Sequence, residues 1–317
     1  MLSRRILRIK IMQVLYAYFK HDGKSSLKKA EQELFFSVEK AFDLYHYLFL
    51  LIVDITIYAN SRIELAKSKK IPTFEDLHPN TRFVDNKVIG QIGSNEQLNS
   101  FIQNKKMSWV QYPELIKGIY NAIVESKLYN DYITSPNPSY EQDKDFLIDL
   151  YKEIIAGYEP LYQNLEEQSI YWNDEPEFII SIIIKTLKGF KETEVNGTKL
   201  LPLYKNEDDK EFAKKLLHKV VLKHTEYREL IEKYSKNWDI DRIAFIDILL
   251  MQMAIAEGIE FSSIPVKVTL NEYLELAKYY STIKSSVFIN GILDKIFAHL
   301  KESNQLNKKG RGLIGEI

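Results

Sequence analysis

Apolar residues recur every three or four positions along most of the chain, the period of helices that bury one face. The pattern is densest between Trp238 and Ile296. Ile243, Ile246, Leu250, Met253 and Ile255 keep one broad face apolar. Ser262-Ser263-Ile264-Pro265 then signals a helix start, because proline lacks the N–H that a first turn leaves unpaired anyway. Val266, Leu270, Tyr273, Leu274 and Ala277 share the next apolar face, while Glu272, Glu275 and Lys278 point elsewhere. After the polar break from Ser281 to Ser285, a third segment aligns Phe288, Ile289, Ile292, Leu293, Ile296 and Leu300. These are three consecutive amphipathic helices, predicted to form the packing centre of an all-α protein. Asn290-Gly291 lies inside the third. A helical glycine costs about 1 kcal/mol against alanine, so either a close helix approach or a partner reaching Asn290 is expected to offset it.

Upstream, residues 3–20 read as one helix, with Leu7, Ile11, Val14, Leu15 and Tyr18 on one face and Arg5, Arg8, Met12, Tyr16 and Phe19 on the other. A long helix is predicted over residues 25–67, capped by Ser25 or Ser26. Residues 69–95, with Pro72, Pro79 and two glycines, read as an ordered loop anchored by Phe74, Leu77, Phe83, Val84 and Ile89. Further helices are expected over 95–106 and 112–130, and Ser135-Pro136-Asn137-Pro138-Ser139 is the sharpest break in the chain. Beyond it a degenerate repeat appears at an offset of 66 residues: Lys144, Phe146, Leu150, Glu166, Ser169 and Trp172 match Lys210, Phe212, Leu216, Glu232, Ser235 and Trp238. Duplication and convergent helical hairpins both account for it.

Composition narrows the function classes. The chain is 317 residues long, 45% hydrophobic and 27% charged, with a net charge of −1, so any pull on nucleic acid has to be local. It has no cysteine, which excludes disulfides, thiolate catalysis and Cys-ligated zinc. The six histidines show no H-E-x-x-H spacing, and no phosphate-binding glycine loop or nucleophile elbow occurs. No enzyme, cofactor or metal is expected. The apolar run after the N-terminal arginines is short and lacks a cleavage pattern, and no segment reads as a membrane span of about 20 apolar residues. A cytoplasmic location is expected. The local charge lies in the first helix, whose only charges are Arg4, Arg5, Arg8, Lys10 and Lys20, with aromatics beside them. Cations with aromatics can neutralise phosphates and stack bases; a solvated helix end over core aromatics would look the same.

Three motifs carry a resemblance. R-I-x-x-x-D-x-x-L from Arg242, I-P-x-x-V-x-x-N-E-x-x-E-L-A-K from Ile264 and F-x-N-G-x-L-D-K-I from Phe288 together resemble the C-terminal half of the NusB family of transcription antitermination factors. Arg4-Arg5-Ile6-Leu7-Arg8 and Met12-Gln13-Val14-Leu15-Tyr16 resemble the family's arginine-rich N-terminal segment. The resemblance implies an RNA-binding antitermination factor that pairs with the small-subunit ribosomal protein NusE. The pair would capture boxA-type single-stranded RNA at the RNA polymerase elongation complex on ribosomal RNA operons, without a membrane. It implies RNA contact at Arg4, Arg5, Arg8, Lys10 and Tyr16, and at the turn holding Lys284, Ser285 and Phe288. Lysine at 284, where the family often has an acid, favours backbone contact over base readout. Asn271, Glu272 and Asp294 look like caps and helix–helix contacts. A NusB-like domain also opens a family of cysteine-dependent ribosomal RNA methyltransferases, which the absence of cysteine excludes.

The family's proteins are about half this length. The resemblance therefore implies a NusB-like bundle made of an N-terminal basic helix (1–24) and a helical core (205–300), around an inserted helical domain (25–204) and followed by a flexible polar tail (301–317). An alternative function is a helical protein–protein adaptor whose working surface is the aromatic-rich insertion, Trp109 included.

Overall fold

The computed structural model describes residues 3–20, 26–194, 198–235 and 242–309. Among them every regular element is helical: α1 (Arg4–Lys20), α2 (Leu27–Lys67), α3 (Phe74–Leu77), α4 (Lys87–Gly93), α5 (Glu96–Lys105), α6 (Pro113–Val124), α7 (Lys127–Thr134), α8 (Tyr140–Glu153), α9 (Glu159–Gln168), α10 (Pro176–Lys188), α11 (Glu207–Leu222), α12 (His224–Tyr234), α13 (Phe245–Glu260), α14 (Val266–Tyr280) and α15 (Ile283–Glu302), with short 3₁₀ turns at Ile155–Gly157 and Ile170–Trp172. The starts follow local chemistry. Asn86, Asn206 and Ser139 accept from backbone N–H groups as N-caps of α4, α11 and α8, and Thr282 with Ser285 forms a capping box at α15. The predicted helix over 112–130 is two helices, because Ser126 caps a new start at α7. The loop predicted over 69–95 contains α3 and α4. Trp238, the capping position Ser25 and the tail beyond 309 lie outside the described residues.

The chain divides into two compact units. A middle unit comprises Glu39–Leu203, and a terminal unit joins Leu2–Val38 to Tyr204–Ile317. The division falls inside α2, not at residue 25, and the first three turns of that helix belong to the terminal unit. Helix α2 is long and apolar enough to cross a membrane by length and composition, which the sequence reading did not anticipate. Its apolar stretch is 61% buried, and the core of the middle unit accounts for it: Tyr45, Leu48, Phe49, Leu51, Ile52 and Ile55 have no exposed surface. There Tyr47 stacks on Trp109 at 3.8 Å, the Trp109 indole N–H donates to the Tyr47 carbonyl, and the Tyr151 hydroxyl donates to the Leu48 carbonyl. Trp109 is fully buried, so it is a core residue and not part of an interaction surface. Helices α8, α9 and α10 reappear in order as α11, α12 and α13 near the 66-residue offset, with α8 packed on α10 as α11 is on α13.

In the terminal unit, α13 is the central helix. It was expected to be amphipathic, but every residue from Asp247 to Gly258 is buried. A helix covered on all sides has no polar face to show. Helices α1, α11, α12, α14 and α15 surround it. Helix α13 crosses α15 closely at Gly258, where a Cβ would lie 2.3 Å from Cε1 of Phe297. Gly291 is different: nothing lies within 4 Å of a Cβ placed there, so close packing does not explain it. The start of the tail is docked. The Lys308 ammonium donates to the carbonyls of Phe261 and Ile264, and the Lys309 N–H to that of Ser262.

Candidate nucleic-acid interface

Helix α1 carries three arginines in two turns, and the fold gives each a carboxylate. Arg4 Nε donates to Asp209 Oδ1 at 3.0 Å, in the first turn of α11. Arg5 grips Glu272 of α14 with two hydrogen bonds of 3.0 and 2.8 Å. Arg8 grips Glu257 of α13 with two of 2.7 Å. The Thr269 hydroxyl at 2.9 Å and the Tyr273 hydroxyl at 3.1 Å also donate to Glu257. Its two oxygens thus accept four hydrogen bonds, about the full capacity of a carboxylate. Burial works against the charge on Arg8, but the Glu257 hydrogen bonds and charge outweigh it and hold the guanidinium's proton more tightly than usual. The Arg5 hydrogen bond likewise draws Glu272 below the usual carboxylate range. Three cations face three anions, so the end of α1 that looks cationic in sequence is close to neutral in the fold.

Exposure sorts the expected RNA contacts. Arg5 is half exposed and Arg4 about one-third exposed at their side chains. Arg8 at 3% and Lys10 at 2% are buried, contrary to their expected place on an RNA-facing surface: burying them lets α1 lie flat against the bundle. Tyr16 is 43% exposed, edge-on to Phe245 at 5.3 Å, with the Lys20 ammonium 4.7 Å from the Phe245 ring. Helix α1 runs antiparallel to α13, since Arg8 meets Glu257 and Tyr16 meets Phe245. Tyr16 therefore sits about 16 Å along the axis from Arg5 and joins a different cluster. At the α14–α15 corner Lys284 is exposed, Phe288 is half-buried and Ser285 is buried, its hydroxyl bonded to Ser281 and Thr282. Glu272 and Glu275, which face Arg5, share a helical face with Tyr279. That face leads from the arginines to the corner in about two turns. Sequence reading passed over Tyr279 and Val287, 81% and 76% exposed there. It also passed over Glu257, although an acid inside the apolar run from Ile248 to Ile259 was a usable signal. Glu272 ties α14 to α1, as its sequence context implied, whereas Asp294 accepts from Asn290 within α15 and so is neither a cap nor a helix–helix contact there.

No group of three His, Asp or Glu side chains that could hold a metal occurs among the described residues. A cleft of about 510 Å³ in the middle unit is lined by Arg82, Asp85, Lys87 and Asp143. Its polar groups already join the loop walls: Arg82 donates to the Ser135 carbonyl and to Gln142, and Asp143 accepts from Tyr132 and the Lys87 N–H.

An arginine-bearing helix clamped to a buried central helix by paired carboxylates defines the terminal unit as an all-helical bundle. A family model described as "NusB family" matches residues 177–298. The chain is 39% identical over 139 residues to the transcription antitermination protein NusB of Salinibacter ruber, covering 42% of this chain and 87% of that one. It is 43% identical over 105 residues to the NusB of Chloroherpeton thalassium, covering 33% and 50%. In that relative, and in the NusB of Natranaerobius thermophilus at 49% identity, the match spans about half of the relative's length. A solved structure of T. maritima NusB matches at 26% identity with a TM-score of 0.29, over 46% of this chain and 92% of that one. The chain belongs to the NusB family, whose members are transcription antitermination factors and not enzymes.

Proposed function

We propose that this protein is an RNA-binding transcription antitermination factor of ribosomal RNA operons. It acts in the cytoplasm, binding boxA-type single-stranded RNA together with the ribosomal protein NusE at the RNA polymerase elongation complex. One observation carries the reading. The arginine-rich segment and the motif helices, separated in sequence by residues 39–203, form one unit, and Arg5 is bonded to Glu272 of the N-E-x-x-E-L-A-K motif. The RNA surface comprises Arg4, Arg5, Lys284 and Phe288, with Tyr16 as a separate stacking position. Arg8, Lys10 and Ser285 act by holding that surface in shape. Because Arg5 keeps a carboxylate beside it, RNA phosphate has to compete with Glu272, which favours modest affinity for RNA alone and a need for NusE.

The test is binding of a boxA-containing ribosomal leader RNA, with and without NusE, against a scrambled RNA. Tighter, sequence-dependent binding with NusE is expected. Equal weak binding of both RNAs in both conditions overturns the reading. The adaptor reading keeps one observation in its favour: Ile71, Phe74 and Leu77, in and before α3, are 89%, 73% and 51% exposed. Loss of a co-purifying protein on changing Phe74 and Leu77 to serine, with RNA binding intact, would favour it.

A further inference from the structure

The second half of α11 is, after α1, a second one-sided stretch of charge in the terminal unit. From Phe212 to Thr225 there are four lysines, two histidines and no acid. Lys215, Lys219 and Lys223 recur every four residues and so form a row with steps of about 6 Å. All three reach a single carboxylate, Glu260 at the end of α13, at 3.5, 2.9 and 3.9 Å. Lys214 and His218 share Glu31 of α2, at 3.0 and 2.7 Å. The first turns of α2 run antiparallel to α11, because Glu31 meets Lys214 and His218 while Phe35 lies under Lys210. One turn before Glu31, Lys28 is exposed and lies on the same helical face, with exposed Lys29 beside it. Six lysines thus stand against Glu31, Glu211, Glu226 and Glu260, an excess of positive charge on a protein whose net charge is −1.

Part of this is structural. The Lys215 ammonium donates to the Glu260 carbonyl at 2.6 Å, and cations at a helix C-terminus complement its dipole. One or two lysines would satisfy that end; six exceed it.

We infer that the α11 row, with Lys28 and Lys29, is a second contact for the RNA backbone, engaged by nucleotides flanking the recognised element. The inference rests on the RNA-binding reading above. Lysine supplies a mobile point charge without bidentate geometry, which suits sequence-independent contact to successive phosphates. Lysine is also depleted from protein–protein interfaces, and the exposed large apolar side chains near the row, Leu222 and Phe36, are too few for an interface core.

The experiment measures binding of the full chain as a function of salt, using a boxA oligonucleotide and the same oligonucleotide extended at both ends with uridines. In the Lys28→Gln/Lys219→Gln/Lys223→Gln variant the log–log salt slope on the extended RNA is expected to fall by about 2, at roughly 0.7 for each lost contact. The slope on the short RNA stays unchanged. An unchanged slope on the extended RNA overturns the inference. Should the triple variant unfold, Lys28→Gln/Lys29→Gln leaves the α13 terminus untouched and is expected to lower the slope by about 1.4. Wild-type protein that binds boxA and scrambled RNA equally, but with the lysine-dependent slope, removes the boxA reading and leaves this one standing. No salt-dependent binding of either RNA removes both.

Discussion

Arg8 and Glu257 meet through two hydrogen bonds of 2.7 Å, with their side chains 3% and 0% exposed. They are 249 residues apart in sequence, and their contact fixes α1 against the central helix. Removing one partner leaves the other charged and buried. Glu257→Gln or Arg8→Ala is therefore expected to cost about 3–5 kcal/mol in denaturant unfolding. Arg8→Met/Glu257→Leu is expected to recover only part of that: an apolar pair of similar volume needs no desolvation, but the Thr269 and Tyr273 hydroxyls lose their acceptor. A double variant no more stable than the singles would mean that the charges themselves specify the packing.

Arg5 is the opposite case, an ion pair half open to solvent. Arg5→Ala is expected to change stability by less than about 1 kcal/mol while weakening RNA binding and flattening its salt slope by roughly 0.7. Paired melting and salt-titration curves check this. A slope equal to wild type would take Arg5 out of the RNA surface.

The glycines separate packing from exposure. Gly258→Ala forces a Cβ onto the Phe297 ring and is expected to cost about 1–3 kcal/mol, partly restored by Phe297→Leu. Gly291→Ala meets nothing within 4 Å and is expected to gain roughly 0.5–1 kcal/mol. Chemical denaturation of the three variants tests both signs.

His46 gives a pH dependence. Burial pulls its pKa down to about 4, against which the hydrogen bond from its ring to the Phe42 carbonyl is insufficient. The ring is stacked at 3.8 Å on Phe101. In the unfolded chain it titrates near 6.5. Protons therefore bind the unfolded state more readily, so stability from this residue is complete above about pH 6.5, falls as pH drops, and is gone near pH 4. The loss is at most roughly 3 kcal/mol. Stability curves of wild type and His46→Gln should converge in slope if another group were responsible; a flatter curve in the variant is expected.

Helix periodicity located α1, α2, α14 and α15 because each has an apolar stripe that spacing reveals. It misread α13, where burial on all sides removes the polar face that defines a stripe. The same limit explains the arginine helix. Arg4, Arg5 and Arg8 read as a cationic arm because their counter-charges, Asp209, Glu272 and Glu257, lie more than 200 residues away. Local composition reports charge without its partners. The family was legible, since N-E-x-x-E-L-A-K and F-x-N-G-x-L-D-K-I are short-range patterns; the exposure of Tyr279 and Val287 depends on which helices happen to lie alongside.

The middle unit begins partway along α2, at a point where the backbone groups are already bonded within the helix. Surgery on this protein inherits that fact. Cutting at residue 25 strips three turns and Glu31 from the terminal unit, while cutting at 38 leaves four carbonyls on one piece and four N–H groups on the other without partners. A minimal version that dispenses with 39–203 needs a glycine stop grafted after Val38, and a loop long enough to reach Tyr204.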